Sequence, residues 1–134
     1  MRQIVLDTNV LVSGLMSASN PPGRIIDGVR ANELQLCIDD RIFGEYDDVL
    51  NRPELRRWIH REDSAAILDH IRNSAYRVDS AVTITGLPDP DDAPFAEVAA
   101  ASNTPLVTGN VRHFPAKIVG SVVVLTPRLF LTSI

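Results

Sequence analysis

Short apolar runs alternating with stretches of helical periodicity predict an α/β protein, a three-layer α/β/α sandwich around a mainly parallel sheet. Three observations carry that expectation. The runs Ile4–Leu6, Leu34–Ile38, Leu106–Val107 and Val122–Leu125 have the length and apolar character of buried strands. The segments between them place apolar residues three and four apart, as in Leu11, Leu15 and Met16, or Ile42, Phe43, Tyr46, Val49 and Leu50. The chain has 134 residues, 45% of them hydrophobic, which suits one domain over residues 1–134 with a core of its own.

Taken in order, the first strand ends at Asp7, and Asp7 with Thr8 supplies capping chemistry for the helix that follows. Ser17 to Gly23, with Pro21 and Pro22, reads as a loop, and Ile25, Ile26 and Val29 restart a helix. After the strand at Leu34–Ile38, Asp39 and Asp40 can cap the helix that carries Glu45. A further helix is expected after Pro53 and another over about Asp63 to Ala75. Val82 to Ile84 is a strand candidate, and the Pro- and Asp-rich stretch from Gly86 to Pro94 leads into a helix containing Phe95, Val98 and Ala99.

Composition limits the function. A single cysteine, Cys37, excludes an internal disulfide and favours a reducing, cytoplasmic setting, with Cys37 read as core. No stretch approaches the roughly 20 apolar residues of a membrane span, and Asp7 and Asn9 interrupt the opening apolar run before it could serve as a signal-peptide core. A formal charge of −4 argues against coating nucleic acid by bulk electrostatics. It leaves room for local recognition, since every basic residue except Lys117 is Arg, the better bidentate partner for phosphate.

Three acidic features stand out. Asp7 lies at the carboxyl end of a strand, where open parallel sheets collect their ligands; helix capping is the plain alternative. Glu45 falls about 40° from Val49 on a helical wheel, at the margin of the buried stripe, where it is either a desolvated carboxylate or a boundary residue paired with an Arg. Asp89, Asp91 and Asp92 crowd three carboxylates into four positions before a helix, with Asp92 the inward candidate; capping accounts for one of them. Separated acids at one end of a sheet suit a hard divalent cation and phosphodiester hydrolysis.

The opening Ile4-Val5-Leu6-Asp7-Thr8-Asn9-Val10-Leu11-Val12-Ser13, the helix bearing Glu45, the run Asp89-Pro90-Asp91-Asp92-Ala93-Pro94-Phe95-Ala96 and the segment Leu106-Val107-Thr108-Gly109-Asn110 together resemble the PIN-domain family, in particular its VapC-type toxin branch. The resemblance spans nearly the whole chain. It implies an α/β/α fold, an Mg²⁺- or Mn²⁺-dependent ribonuclease activity on RNA, frequent homodimers, and a small antitoxin as partner. By motif, Asp7, Glu45 and Asp92 match the family's catalytic, metal-binding acids, and Asn9, Asp89, Thr108 and Asn110 match positions that support the pocket. Where many members carry Thr-X-Asp, this chain has Thr108-Gly109-Asn110, which keeps an oxygen ligand and loses a charge. A fold of this family that binds RNA or protein without cutting is the rival that Asn110 keeps open.

Other features are less specific. Arg52, Arg56, Arg57 and Arg61 with Trp58 offer a basic, aromatic-bearing surface on which Arg56 and Arg57 are candidate RNA contacts, against the plainer reading of a solvated helix face with Trp58 packed on the core or a partner. His113, just after the Leu106–Val107 strand, could touch substrate, against the plainer reading of a turn histidine with no catalytic role. An Asp at a strand end also occurs in phosphoacceptor domains, but Lys117, the only Lys, lacks the context such a site requires. No Gly-rich phosphate loop, zinc-ligand spacing or nucleophile elbow is present.

Overall fold

The computed structural model describes residues 1–134. Five parallel strands form one sheet in the order β3-β2-β1-β4-β5. Strand β1 (Arg2–Leu6) is followed by helices α1 (Thr8–Met16) and α2 (Pro21–Arg30), then β2 (Leu34–Ile38), α3 (Asp40–Leu50), α4 (Arg61–Ser74) and β3 (Tyr76–Arg77). The second half runs α5 (Ala93–Ser102), β4 (Leu106–Val107), α6 (Ala116–Val119), β5 (Val124–Leu125) and α7 (Pro127–Thr132). The strand order places a topological switch between β1 and β4, because the chain builds outward from β1 through β2 to β3 and then returns to β1's other side.

The core explains the layers. Ile4, Val5 and Leu6 of β1 and Leu36, Cys37 and Ile38 of β2 are buried without alternation, as befits strands covered on both faces. Ile42, Tyr46 and Leu50 recur every fourth residue along α3 and are wholly buried, while α5 buries Phe95, Ala96, Val98 and Ala99 in its middle turns. Close packing of α1 on α2 depends on glycine: a Cβ on Gly14 would stand 2.7 Å from the Pro22 carbonyl oxygen, and Gly23 lies against Ala18 in the same way.

Several expected elements differ. Helix α2 begins at Pro21 because Pro suits the first helical position and Asn20 caps it, its side chain accepting from the Gly23 N–H at 2.7 Å. The helix expected after Pro53 is a single 3-10 turn, Pro53–Arg57, with no buried face to extend it. Val82–Ile84 forms no strand; the Ile84 N–H is taken by the Glu97 carboxylate at 2.9 Å. The edge beside β2 is filled earlier by Tyr76 and Arg77, and the Val78 N–H continues that pairing to the Ile38 carbonyl at 2.8 Å. Strand β5 is confined to Val124–Leu125. Cys37 is buried in the core as expected.

Candidate active site

The register of β1 on β4 builds the centre. Leu6 pairs with Val107, so the next residues on both strands, Asp7 and Thr108, emerge side by side at the switch point. The backbone is held there from two directions. The Asp7 N–H donates to the Val107 carbonyl at 3.0 Å, and the fully buried Tyr46 hydroxyl donates to the Leu6 carbonyl at 2.5 Å.

Asp7 is only 6% exposed. It occupies the N-cap position of α1, yet its side chain makes no capping hydrogen bond to that helix. One carboxylate oxygen, Oδ2, accepts instead from the Thr108 hydroxyl at 2.7 Å, and that hydroxyl in turn accepts from the Asn110 N–H at 3.1 Å. Burial pushes the Asp7 carboxyl above its usual range, against the lowering influence of Thr108, the Thr8 and Asn9 amides, and His113. A buried carboxylate that takes a hydroxyl from the neighbouring strand does more than cap α1.

Glu45 projects from α3 to the Thr8 hydroxyl, which donates to its Oε2. Its neighbour Tyr46 anchors that turn of helix on β1, stacks at a tilt on Phe95 with ring centroids 6.5 Å apart, and has its own ionisation pushed well up by burial, with Asp7 and Glu45 adding to the effect. Tyr46 read as core in the sequence; nothing in an i, i+4 pattern reveals that its hydroxyl fixes the end of the first strand.

Asp92 ends the 3-10 turn Pro90–Asp92 and turns inward, its side chain 15% exposed. Its carboxyl is pushed up to about 6 by burial and by the negative charges of Asp7 and Asp89, with His113 pulling the other way. Asp89 caps that turn, accepting from the Asp91 N–H at 3.0 Å, and Asp91 faces solvent. His113 Nδ1 lies 3.0 Å from Asp92 Oδ2. That pairing joins residues far apart in sequence and went unseen when His113 was read as a turn residue.

The structure therefore brings Asp7 and Asp92 into each other's electrostatic field, with Glu45 tethered beside Asp7 through Thr8. No three His, Cys, Asp or Glu side chains form a ready-made cage for an ion. Asn9 and Asn110 are exposed, and Asn110 engages Thr108 through its backbone. Arg56 and Arg57 part company: Arg56 turns inward to the Leu50 carbonyl and Ser64, while Arg57 lies over the ring of Trp58, 5.4 Å from its centroid. Trp58 is 59% exposed rather than packed on the core.

None of the molecule's cavities includes Asp7, Glu45 or Asp92. The largest, about 650 Å³, opens beside the ends of β2 and β3 and is lined by Arg41, Arg77 and Glu97 among others. Glu97 is a buried acid that sequence reasoning passed over. It takes Arg41 Nη1 at 2.6 Å and the Ile84 N–H at 2.9 Å, and so straps the connection leading to Asp89 against α5. The acids lie outside these cavities, at the carboxyl end of β1, on α3 and at the turn before α5.

A family model described as PIN domain matches residues 3–112, which contain Asp7, Glu45, Asp92 and Asn110. The chain belongs to the PIN domain family. Members of this family are generally nucleases that use divalent metals. The chain is also similar to the uncharacterized protein MJ1680 of Methanocaldococcus jannaschii, 26% identical over 109 residues that make up 81% of this chain and 70% of that protein. In fold it is similar to VapBC2 from Rickettsia felis, solved bound to a DNA fragment from their promoter, with a TM-score of 0.58, 16% identity and coverage of 92% of this chain and 98% of that one. FitAcB from Neisseria gonorrhoeae gives a TM-score of 0.60, 16% identity and coverage of 93% and 98%.

The donor set suits such a metal. Asp7, Asp92 and Glu45 offer only hard oxygen ligands, and the raised carboxyls of Asp7 and Asp92 mark buried negative charge that no protein cation fully offsets. One or two carboxylates with waters and phosphate oxygens are enough for Mg²⁺, so a site without a closed cage fits it. No helix of the chain is long and apolar enough to cross a membrane.

Proposed function

We propose that this PIN domain is an Mg²⁺- or Mn²⁺-dependent endoribonuclease that hydrolyses phosphodiester bonds of RNA, with Asp7, Asp92 and Glu45 as the acids that hold the ion. The observation that carries the reading is the buried Asp7 at the switch point, oriented by Thr108 and facing the field of Asp92. When bound, such an ion polarises a phosphodiester and stabilises charge building on the leaving oxygen. The protein's own contribution is preorganisation. Thr108 fixes the Asp7 carboxylate, Thr8 holds Glu45, and Tyr46 and Val107 hold the backbone from which Asp7 projects. Arg57 and the face of Trp58 are available to an RNA strand elsewhere on the surface.

The likeness in fold to VapBC2 and FitAcB supports reading the chain as the toxin of a toxin–antitoxin pair with a small antitoxin as partner; a cytoplasmic homodimer is what the family resemblance adds to that reading. The deciding experiment is cleavage of labelled single-stranded RNA by the purified protein with Mn²⁺, with EDTA, and with Asp7→Asn alongside. Cutting that needs Mn²⁺ and vanishes in a folded Asp7→Asn supports the reading. Equal cutting by the variant, or no cutting by the wild type, refutes it and favours a fold that binds without cleaving.

A further inference from the structure

We propose that His113 is a positioning residue of this site, donating from Nδ1 to Asp92 Oδ2 so that the Asp92 carboxylate stays turned inward with Oδ1 left for a divalent cation. The inference rests on the metal-dependent reading above. A carboxylate oxygen can only accept, so a 3.0 Å contact to Nδ1 puts the proton on that nitrogen. Asp92 Oδ1 has no protein partner, and neither has His113 Nε2. Asp92 is repelled by Asp7 and by Asp89, so an unsupported carboxylate would swing toward solvent.

The backbone around His113 is built to hold it. A 3-10 turn, Val111–His113, follows β4 after Thr108, Gly109 and Asn110, and the His113 N–H donates to the Asn110 carbonyl at 3.1 Å. The same few residues thus orient both acids, Thr108 acting on Asp7 and His113 on Asp92. The ring is 41% exposed, so little burial is at stake in keeping a histidine there. Hydrogen-bond partners of ligating groups fix ligand orientation, and their loss typically costs about 10- to 100-fold in metal affinity.

The test compares wild type, His113→Phe, which keeps a ring without the donor, and His113→Asn, whose amide can place a donor near the Nδ1 position. Mn²⁺ affinity is read by calorimetry without RNA, and melting in EDTA verifies that each variant is folded. The expected result is an affinity about 10- to 100-fold weaker for His113→Phe and largely recovered in His113→Asn. Wild-type affinity in His113→Phe overturns the inference while leaving the metal site standing. Equal losses in both variants show that a donor near the Nδ1 position does not restore binding, and also overturn it. A wild type that binds no Mn²⁺ overturns this inference together with the reading beneath it.

Discussion

Replacing Asp92 by Asn should stabilise the metal-free protein, and by an amount that depends on pH in a defined way. The Asp92 carboxyl is moved from 3.8 to about 6. At roughly 1.4 kcal/mol per tenfold this penalises the charged form by about 3 kcal/mol, and solvent screening of a group at the edge of the site reduces that to about 1–2 kcal/mol. Because the folded value lies above the unfolded one, the native state binds more protons than the unfolded chain between about pH 4 and pH 6. Wild-type stability therefore falls as pH rises through that window and is flat above it. Asn carries no charge at any of these values yet keeps an oxygen to accept from His113. Urea unfolding in EDTA at pH 4.5, 6 and 7.5 should show the variant's advantage growing with pH to about 1–2 kcal/mol and then levelling off. Saturating Mn²⁺ should stabilise wild type more than the variant, through binding to the native state alone. A difference that stays constant with pH, or a variant less stable at pH 7.5 than at pH 4.5 relative to wild type, would show that Asp92 does not carry the buried charge assigned to it.

Other expectations concern the groups around Asp92. Asp7→Asn should abolish Mn²⁺-dependent RNA cleavage, with a loss of about 100-fold or more, while its melting temperature in EDTA at pH 7.5 stays at or above that of wild type. Thr108→Val removes a fully buried hydroxyl that both donates to Asp7 and accepts from Asn110; it should cost about 1–3 kcal/mol in urea unfolding at pH 7.5 and lower cleavage, and Thr108→Ser should restore both. Glu97→Ala should cost about 1–3 kcal/mol and speed proteolysis within the connection from Asp79 to Asp89, because the Ile84 N–H loses its partner and Arg41 is left with Asp39 alone.

The alternation of apolar runs and helical patterns was enough to read the layers and the parallel sheet, since strands buried on both faces write themselves as Ile4-Val5-Leu6 or Leu36-Cys37-Ile38. Short elements at the sheet's margins were harder to read. Tyr76 and Arg77 are both exposed and two residues long, and only their position after α4 makes them a strand, whereas Val82–Ile84 looked like one and has its Ile84 N–H claimed by Glu97. At the site, Asp7, Glu45 and Asp92 stood out because a carboxylate at a strand end or on a buried margin is costly without a task. Their supports did not. The pairs Thr108 with Asp7, His113 with Asp92 and Arg41 with Glu97 join residues tens of positions apart, and no local period encodes them.

Two of the three acids, Asp7 and Glu45, nonetheless sit next in sequence to an anchor of the fold, as does the Thr108 that orients Asp7, and this explains how the site can hold its charges in place. Asp7 follows Leu6, whose carbonyl receives the Tyr46 hydroxyl; Glu45 precedes that same Tyr46; Thr108 follows Val107, whose carbonyl receives the Asp7 N–H. The strand register and one buried hydroxyl thereby position the carboxylates, and no rigid pocket wall is required. The repulsion between Asp7 and Asp92 is then resisted on one side by the register of β1 on β4, which fixes Asp7, and on the other by His113, which holds Asp92. A fold able to resist that repulsion keeps two buried carboxylates close together and undercompensated, which is the electrostatic condition that a divalent cation relieves when it binds.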